Sequence, residues 1–175
     1  KLDFRSDSVF SGFVFKSNSP SSGMKNVRIY NEKGIPSRNG VGIFAAEFMK
    51  KFPNIPVEDD GRLHNVEIRE NFLTRVFVYY RWQRFLKTEN TIKGLVSFHT
   101  KHKYLIMSHS QKTLSKLGKI VAQSKMFKKQ KLFEEYFITL ISGLKNFATI
   151  KNNVNVLYHI LGYFKEDLSV SEKSE

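Results

Sequence analysis

From about His64 to the end of the chain, apolar residues recur at helical spacing and nothing reads as a strand. The first third behaves differently, switching between strand and helix patterns. No single sheet or bundle accommodates both halves, so the chain divides into a mixed part and an all-helical part. In the first part, Val9 to Phe15 reads as a strand, and "VRIY", Val27 to Tyr30, as a second one ended by the turn signal "NEKG". "GVGIFAAEFMKKF", Gly40 to Phe52, is a helix with Ile43, Phe44, Phe48 and Phe52 near helical spacing, stopped by Pro53. "IPVE" is a short extended piece, and the glycine-rich "GIPSRNGVG" between Gly34 and Gly42 is a turn. Five helices follow: one long connector over 65–87, a second from Asn90 as N-cap, a third capped by Ser110, a fourth over 128–147 and a fifth over 151–168. The fold class expected is an α/β remnant, a Rossmann-like half domain over 1–86, followed by an all-α helical domain over 90–175.

Charge follows the same division. The net charge is +13, yet residues 84–132 hold twelve Lys or Arg against one Asp or Glu. Excess positive charge concentrated in one third of a chain favours a polyanionic partner, because its field is not cancelled locally. A solubilising face usually mixes signs. No stretch is long and apolar enough to span a bilayer; Tyr136 to Leu144, the best candidate, is a core helix.

There is no cysteine, which excludes disulfides and thiolate metal sites within the chain and agrees with a cytoplasmic setting. The chain starts at Lys1 without a signal-peptide pattern and reads as a fragment of a longer protein. It carries no G-x-S-x-G elbow, no P-loop and no H-E-x-x-H, so its residues alone do not define an enzyme.

Several stretches resemble a known arrangement. "SGFVFKSNSPSSGMKNVRIY", "GVGIFAAEFMKKFPNIPVEDDGRL" and "IRENFL" resemble the C-terminal part of TudS-type thiouracil and 4-thiouridine desulfidases. "LVSFHTKHKYLIMSHS", "LGKIVA" and "NVLYHILGYFKEDLS" resemble the YbgA-like helical domain fused behind it in RudS-like members. The resemblance implies removal of sulfur from thiolated uridine in transfer RNA, using a [4Fe-4S] cluster. In the family the loop reads Ser-Pro-Ser-Cys-Gly and its cysteine holds the cluster. Here Ser19, Pro20, Ser21 and Gly23 match, and Ser22 stands at the cysteine position. The other family cluster cysteines belong to an N-terminal half not included in this sequence, and the family's helical domain usually continues past Glu175. A hydroxyl is a far weaker acid than a thiol and a poor substitute for it at iron. No cofactor is therefore expected in this chain, and no desulfuration by it.

Around that loop, the resemblance makes Ser21, Ser22, Glu58 and Arg62 the candidate catalytic-site residues, with Lys16, Arg69 and Asn71 as possible neighbours. A turn serine bonding its own backbone explains Ser21 equally well.

In the helical part, His99, His102 and His109 fall on one helix face, and Lys151, Asn155 and His159 form a second polar stripe opposite Val154, Leu157, Leu161 and Phe164. Three readings compete: a histidine metal site, a buried hydrogen-bond network, and a nucleic-acid surface. The third also accounts for Lys101, Lys103, Lys112, Lys116 and Lys119. These eleven residues are the candidate RNA-binding set, with no metal assigned. Tyr104, Tyr79, Tyr80 and Trp82 are the aromatics available for base stacking, although "VFVYYRWQRF" is apolar enough to be core. The expected partner is transfer RNA, with neither membrane nor DNA. The alternative is a non-enzymatic helical module that binds a protein or an anionic membrane.

Overall fold

The computed structural model describes residues 10–124 and 126–164. The chain separates into two compact units, Lys1–Leu86 and Lys87–Glu175. The first is a small α/β unit with short strands and the second is helical, which is the architecture the periodicity indicated.

In the first unit, β1 (Phe13–Phe15) pairs in parallel with β4 (Val57–Asp59), Phe13 opposite Val57 and Phe15 opposite Asp59. Parallel neighbours need a crossover, and it contains β2 (Val27–Tyr30), β3 (Pro36–Gly40) and helix α1 (Ile43–Lys51). The core is aromatic. Phe15, Ala45, Phe48 and Ile55 are buried, with Phe13, Phe44 and Phe52 packed against them. The Phe13 and Phe48 rings lie 4.5 Å apart, and Phe15 meets Phe48 edge-on at 5.6 Å. After a 3-10 turn over Arg62–His64, the connector α2 (Val66–Thr88) buries Phe72, Val78, Trp82 and Phe85. Trp82 is thus core, as the apolar surroundings suggested, whereas Tyr80 is exposed.

Two expectations need correction here. The stretch taken as a turn contains a strand: Pro36–Gly40 pairs antiparallel with Val27–Tyr30. Its sequence, "PSRNG", shows no alternation because every residue but Gly40 is exposed, and backbone pairing defines it. The hairpin turns at Asn31–Gly34, the expected "NEKG" signal, where Asn31 Oδ1 accepts from Lys33 and Ile35 N–H and Gly34 has φ +73°. The first strand is also shorter than expected, starting at Phe13, while Val9 lies outside the described residues.

The helical unit holds α3 (Ile92–His109), α4 (Gln111–Ala122), α5 (Lys129–Leu144) and α6 (Ile150–Leu161), followed by a 3-10 turn over Gly162–Phe164. Threonine and serine caps set three of the starts. Thr91 Oγ1 accepts from Gly94 N–H, Ser110 Oγ from Thr113 N–H and Thr149 Oγ1 from Asn152 N–H. The first of these moves the expected cap from Asn90 to Thr91, whose extended backbone places its hydroxyl over the first turn. Leu95, Phe98, Ile106, Leu117, Leu132, Tyr136, Leu140 and Leu144 form the buried interior. α6 buries none of its residues, so Val154, Leu157, Leu161 and Phe164 are exposed despite their apolar spacing. The continuation of the fifth helix to Leu168 lies outside the described residues.

Candidate functional site

The loop after β1 is fixed mainly by backbone bonds. Gly23 N–H donates to Ser19 O at 2.8 Å, and Ser22 N–H donates to Ser19 Oγ at 3.1 Å. Gly42 N–H then bonds Gly23 O, and Phe44 N–H bonds Ser21 O at 2.9 Å. The first turn of a helix leaves N–H groups without partners. α1 has no side-chain cap at Gly42, and the Ser21 carbonyl serves in its place. The loop and α1 approach so closely that a Cβ on Gly42 would overlap the Ser21 carbonyl and come within 2.8 Å of Gly23 N. Asn18 takes a left-handed conformation at φ 56°, which asparagine tolerates. Beside this loop is an open pocket of about 490 Å³, lined by Pro20, Ser21, Ile43, Phe44 and Glu47.

A second set of bonds ties the loop to the end of β4. Asp60 Oδ1 accepts from Ser17 N–H and Oγ, and Asp60 Oδ2 pairs with Lys16 Nζ at 2.9 Å. The Lys16 ammonium, with help from Ser17, holds the Asp60 carboxyl well below the usual carboxylate range. Lys16 is thus engaged by a carboxylate of its own chain.

Glu58 and Arg62, chosen with Ser21 and Ser22, form their own pair. Arg62 Nε donates to the buried Glu58 Oε1 at 2.8 Å. Asn71 is buried and accepts from Arg75 Nε at 3.0 Å, while Arg69 Nη1 reaches Leu63 O. Arg75 was missed in the sequence. Its guanidinium stands over the Phe72 ring at 5.9 Å, and burial lowers its pKa against the opposing field of Glu58. Its position four residues after Asn71 is the signal that could have found it.

An iron–sulfur cluster requires thiolates. Ser22 is half-buried, its N–H is committed to Ser19, and the chain contains no cysteine to supply a thiolate. The residues present do not fit such a group.

In the helical unit the three histidines of α3 differ from a surface stripe. His102 and His109 are buried. His102 Nδ1–H donates to Phe98 O at 2.7 Å and its ring stacks on Phe98, while His109 Nδ1–H donates to Asn146 O at 2.6 Å. The carbonyl acceptors require the proton on Nδ1. His99 Nδ1 lies 3.1 Å from Tyr136 Oη, and burial, with His102 and Lys103 nearby, depresses its pKa. These geometries are those of the buried network and correct the placement of His102 and His109 on an accessible face: packing of α3 against α4, α5 and α6 turns that face inward. Among the described residues no group of three or more His, Cys, Asp or Glu is arranged to hold a metal.

Lys101, Lys112, Lys116 and Lys119 are exposed, the last three along one face of α4, which buries Leu117 and Ile120. Lys151, Asn155 and His159 are exposed along α6. Lys103 differs from the other cations: its Nζ donates to Tyr163 Oη at 3.1 Å and lies 4.7 Å from the Tyr104 ring centre. Among the described residues no helix is long and apolar enough to cross a membrane.

Comparison with known proteins agrees with this division. Residues 2–60 match the family model of 2-thiouracil desulfurase, and residues 103–175 match a family described as a protein of unknown function (DUF1722). The chain is 25% identical over 107 residues to the uncharacterized protein YbgA of Escherichia coli (strain K12), covering 61% of this chain. The match spans 63% of that relative, less than two thirds of its length. No solved structure matches. The chain therefore joins a segment similar to 2-thiouracil desulfurases to a YbgA-like segment, as its motifs implied.

Proposed function

We propose that this chain binds transfer RNA through its helical unit, beside a desulfurase-like unit that does not itself remove sulfur. One observation carries the reading. Lys112, Lys116 and Lys119 share an exposed face of α4, within a segment of twelve cations and a single acid. Such a face binds phosphates and releases counterions, which gives affinity and register rather than base readout. The desulfurase likeness of residues 2–60 supplies the reason for a thiolated uridine as the relevant base. Ser22 in place of a thiolate is the reason to separate binding from catalysis in this chain.

The test is fluorescence anisotropy with transfer RNA, with and without 4-thiouridine, over a salt series. The expected result is binding that weakens steeply with salt, with no sulfur released. Failure to bind at low salt overturns the RNA reading; sulfur release overturns the inactive assignment.

A second reading has its own observation. α6 exposes Ile150, Leu157, Tyr158 and Leu161, a face suited to a protein or membrane partner. Tighter binding to anionic vesicles than to RNA would favour it.

A further inference from the structure

Lys103, half-buried on α3, has its ammonium placed by neighbouring side chains. Its ammonium sits between two aromatic rings, 4.7 Å from the centre of Tyr104 and 5.4 Å from that of Tyr163. Tyr163 is 60 residues away, in the 3-10 turn that follows α6, and its hydroxyl accepts from Lys103 Nζ. Tyr163 raises the pKa of the Tyr104 hydroxyl, which is therefore close by. One ammonium and two tyrosines from two elements thus gather on the helical unit.

Among the described residues no carboxylate pairs with Lys103. Rings and hydroxyls orient the ammonium without neutralising it, unlike Lys16, whose charge is matched by Asp60. A free lysine loses considerable side-chain entropy when a ligand fixes it. Here much of that ordering exists before a ligand arrives. The Tyr163 hydroxyl already accepts from Lys103, so its own proton can turn toward an incoming acceptor. Lys103, then Tyr104, also makes Tyr163 more acidic than an ordinary tyrosine, hence a stronger donor. Lys101 is exposed on α3, and Asn155 and His159 are exposed on α6, which leads to Tyr163.

We propose that Lys103, Tyr104 and Tyr163 form a phosphate-binding subsite, one ammonium and two phenol hydroxyls converging on a non-bridging oxygen of an RNA phosphodiester. The proposal rests on the RNA-binding reading above and assigns it a defined contact. It replaces Tyr104 as a base-stacking residue with Tyr104 as a donor, and adds Tyr163, which the sequence did not single out. The ammonium provides charge; the hydroxyls provide direction, as phosphate contacts from tyrosine do elsewhere.

The experiment measures anisotropy of labelled transfer RNA with the full chain and with Lys103→Gln, Tyr104→Phe, Tyr163→Phe and, as a control on α3, Lys93→Gln. Circular dichroism verifies the fold of each. Lys103→Gln is expected to weaken binding about tenfold and to reduce the salt slope by about 0.7–0.9. Tyr163→Phe is expected to weaken binding by about tenfold with the slope unchanged, since it removes a donor and no charge. If the tyrosine variants bind like the original chain and Lys103→Gln loses no more than Lys93→Gln, this proposal falls while the RNA reading stands. If the original chain binds no RNA, both fall. Two further arms identify the source of the phosphate. Displacement of RNA by micromolar inorganic phosphate would make the ligand a free anion, and preference for phosphatidylserine vesicles would make it a lipid headgroup. Either result overturns the RNA assignment of the subsite.

Discussion

The backbone N–H of Ser22 is held by Ser19 Oγ at 3.1 Å, so the position that the desulfidase resemblance sets against a cysteine is fixed in a closed turn. The turn also places the Ser21 carbonyl over the first N–H groups of α1. Ser19→Ala is expected to destabilise the first unit by about 1 kcal/mol, through loss of a part-buried hydrogen bond. Urea unfolding followed by tyrosine and tryptophan fluorescence measures this. Ser22→Cys leaves the turn intact and, as a lone thiolate, is expected to give no cluster absorption after reconstitution with iron and sulfide.

Gly42 is the position where α1 and the loop come nearest. Gly42→Ala puts a methyl group against the Ser21 carbonyl, a backbone atom that cannot rotate away. The expected cost is about 1–3 kcal/mol. The midpoint of urea unfolding reports it, and an alanine variant as stable as the original would place the loop elsewhere.

Stability of the helical unit should depend on His99. Burial lowers its folded pKa, so the unfolded chain binds the proton more readily. The contribution is complete above the unfolded value of about 6.5 and is lost as pH falls below it. Thermal melts between pH 7.5 and 5 should therefore show a falling Tm, with a shallower fall in His99→Gln. Tyr136→Phe removes the hydroxyl facing His99 Nδ1 and is expected to cost about 1 kcal/mol at pH 7.5.

The first unit has an acid limb of its own. Lys16 and Ser17 hold Asp60 ionised well below the usual carboxylate range. The folded state is thus favoured above the unfolded pKa of about 4, and the contribution is lost as pH falls below that. Asp60→Asn should flatten this part of the stability profile in melts between pH 5 and 2.

Much of the helical unit was legible in the sequence because helices are set by local spacing and caps. Ser110 was identified from one hydroxyl before an apolar period, and Trp82 from its apolar neighbours. The β3 strand was not legible, since Pro36–Gly40 is defined by its partner strand and buries only Gly40. Ser21, Ser22, Glu58 and Arg62 could be selected from the motif alone. Their division into a loop bound to α1 and a separate Glu58–Arg62 pair required the tertiary structure.

The sequence by itself determined the two-part architecture, the concentration of positive charge and the lack of any thiolate, because periodicity, charge and residue type are local properties. Tertiary structure decided which polar groups face water. A helical wheel gives His99, His102 and His109 a common side. Only the packing of α3 against α4, α5 and α6 shows that side to be largely interior, with His109 bonded to Asn146. In the same way, Lys103 looks like one lysine among many until the chain returns 60 residues later and brings Tyr163 to its ammonium. Side chains distant in sequence meet because burial of the intervening helices fixes where the chain comes back.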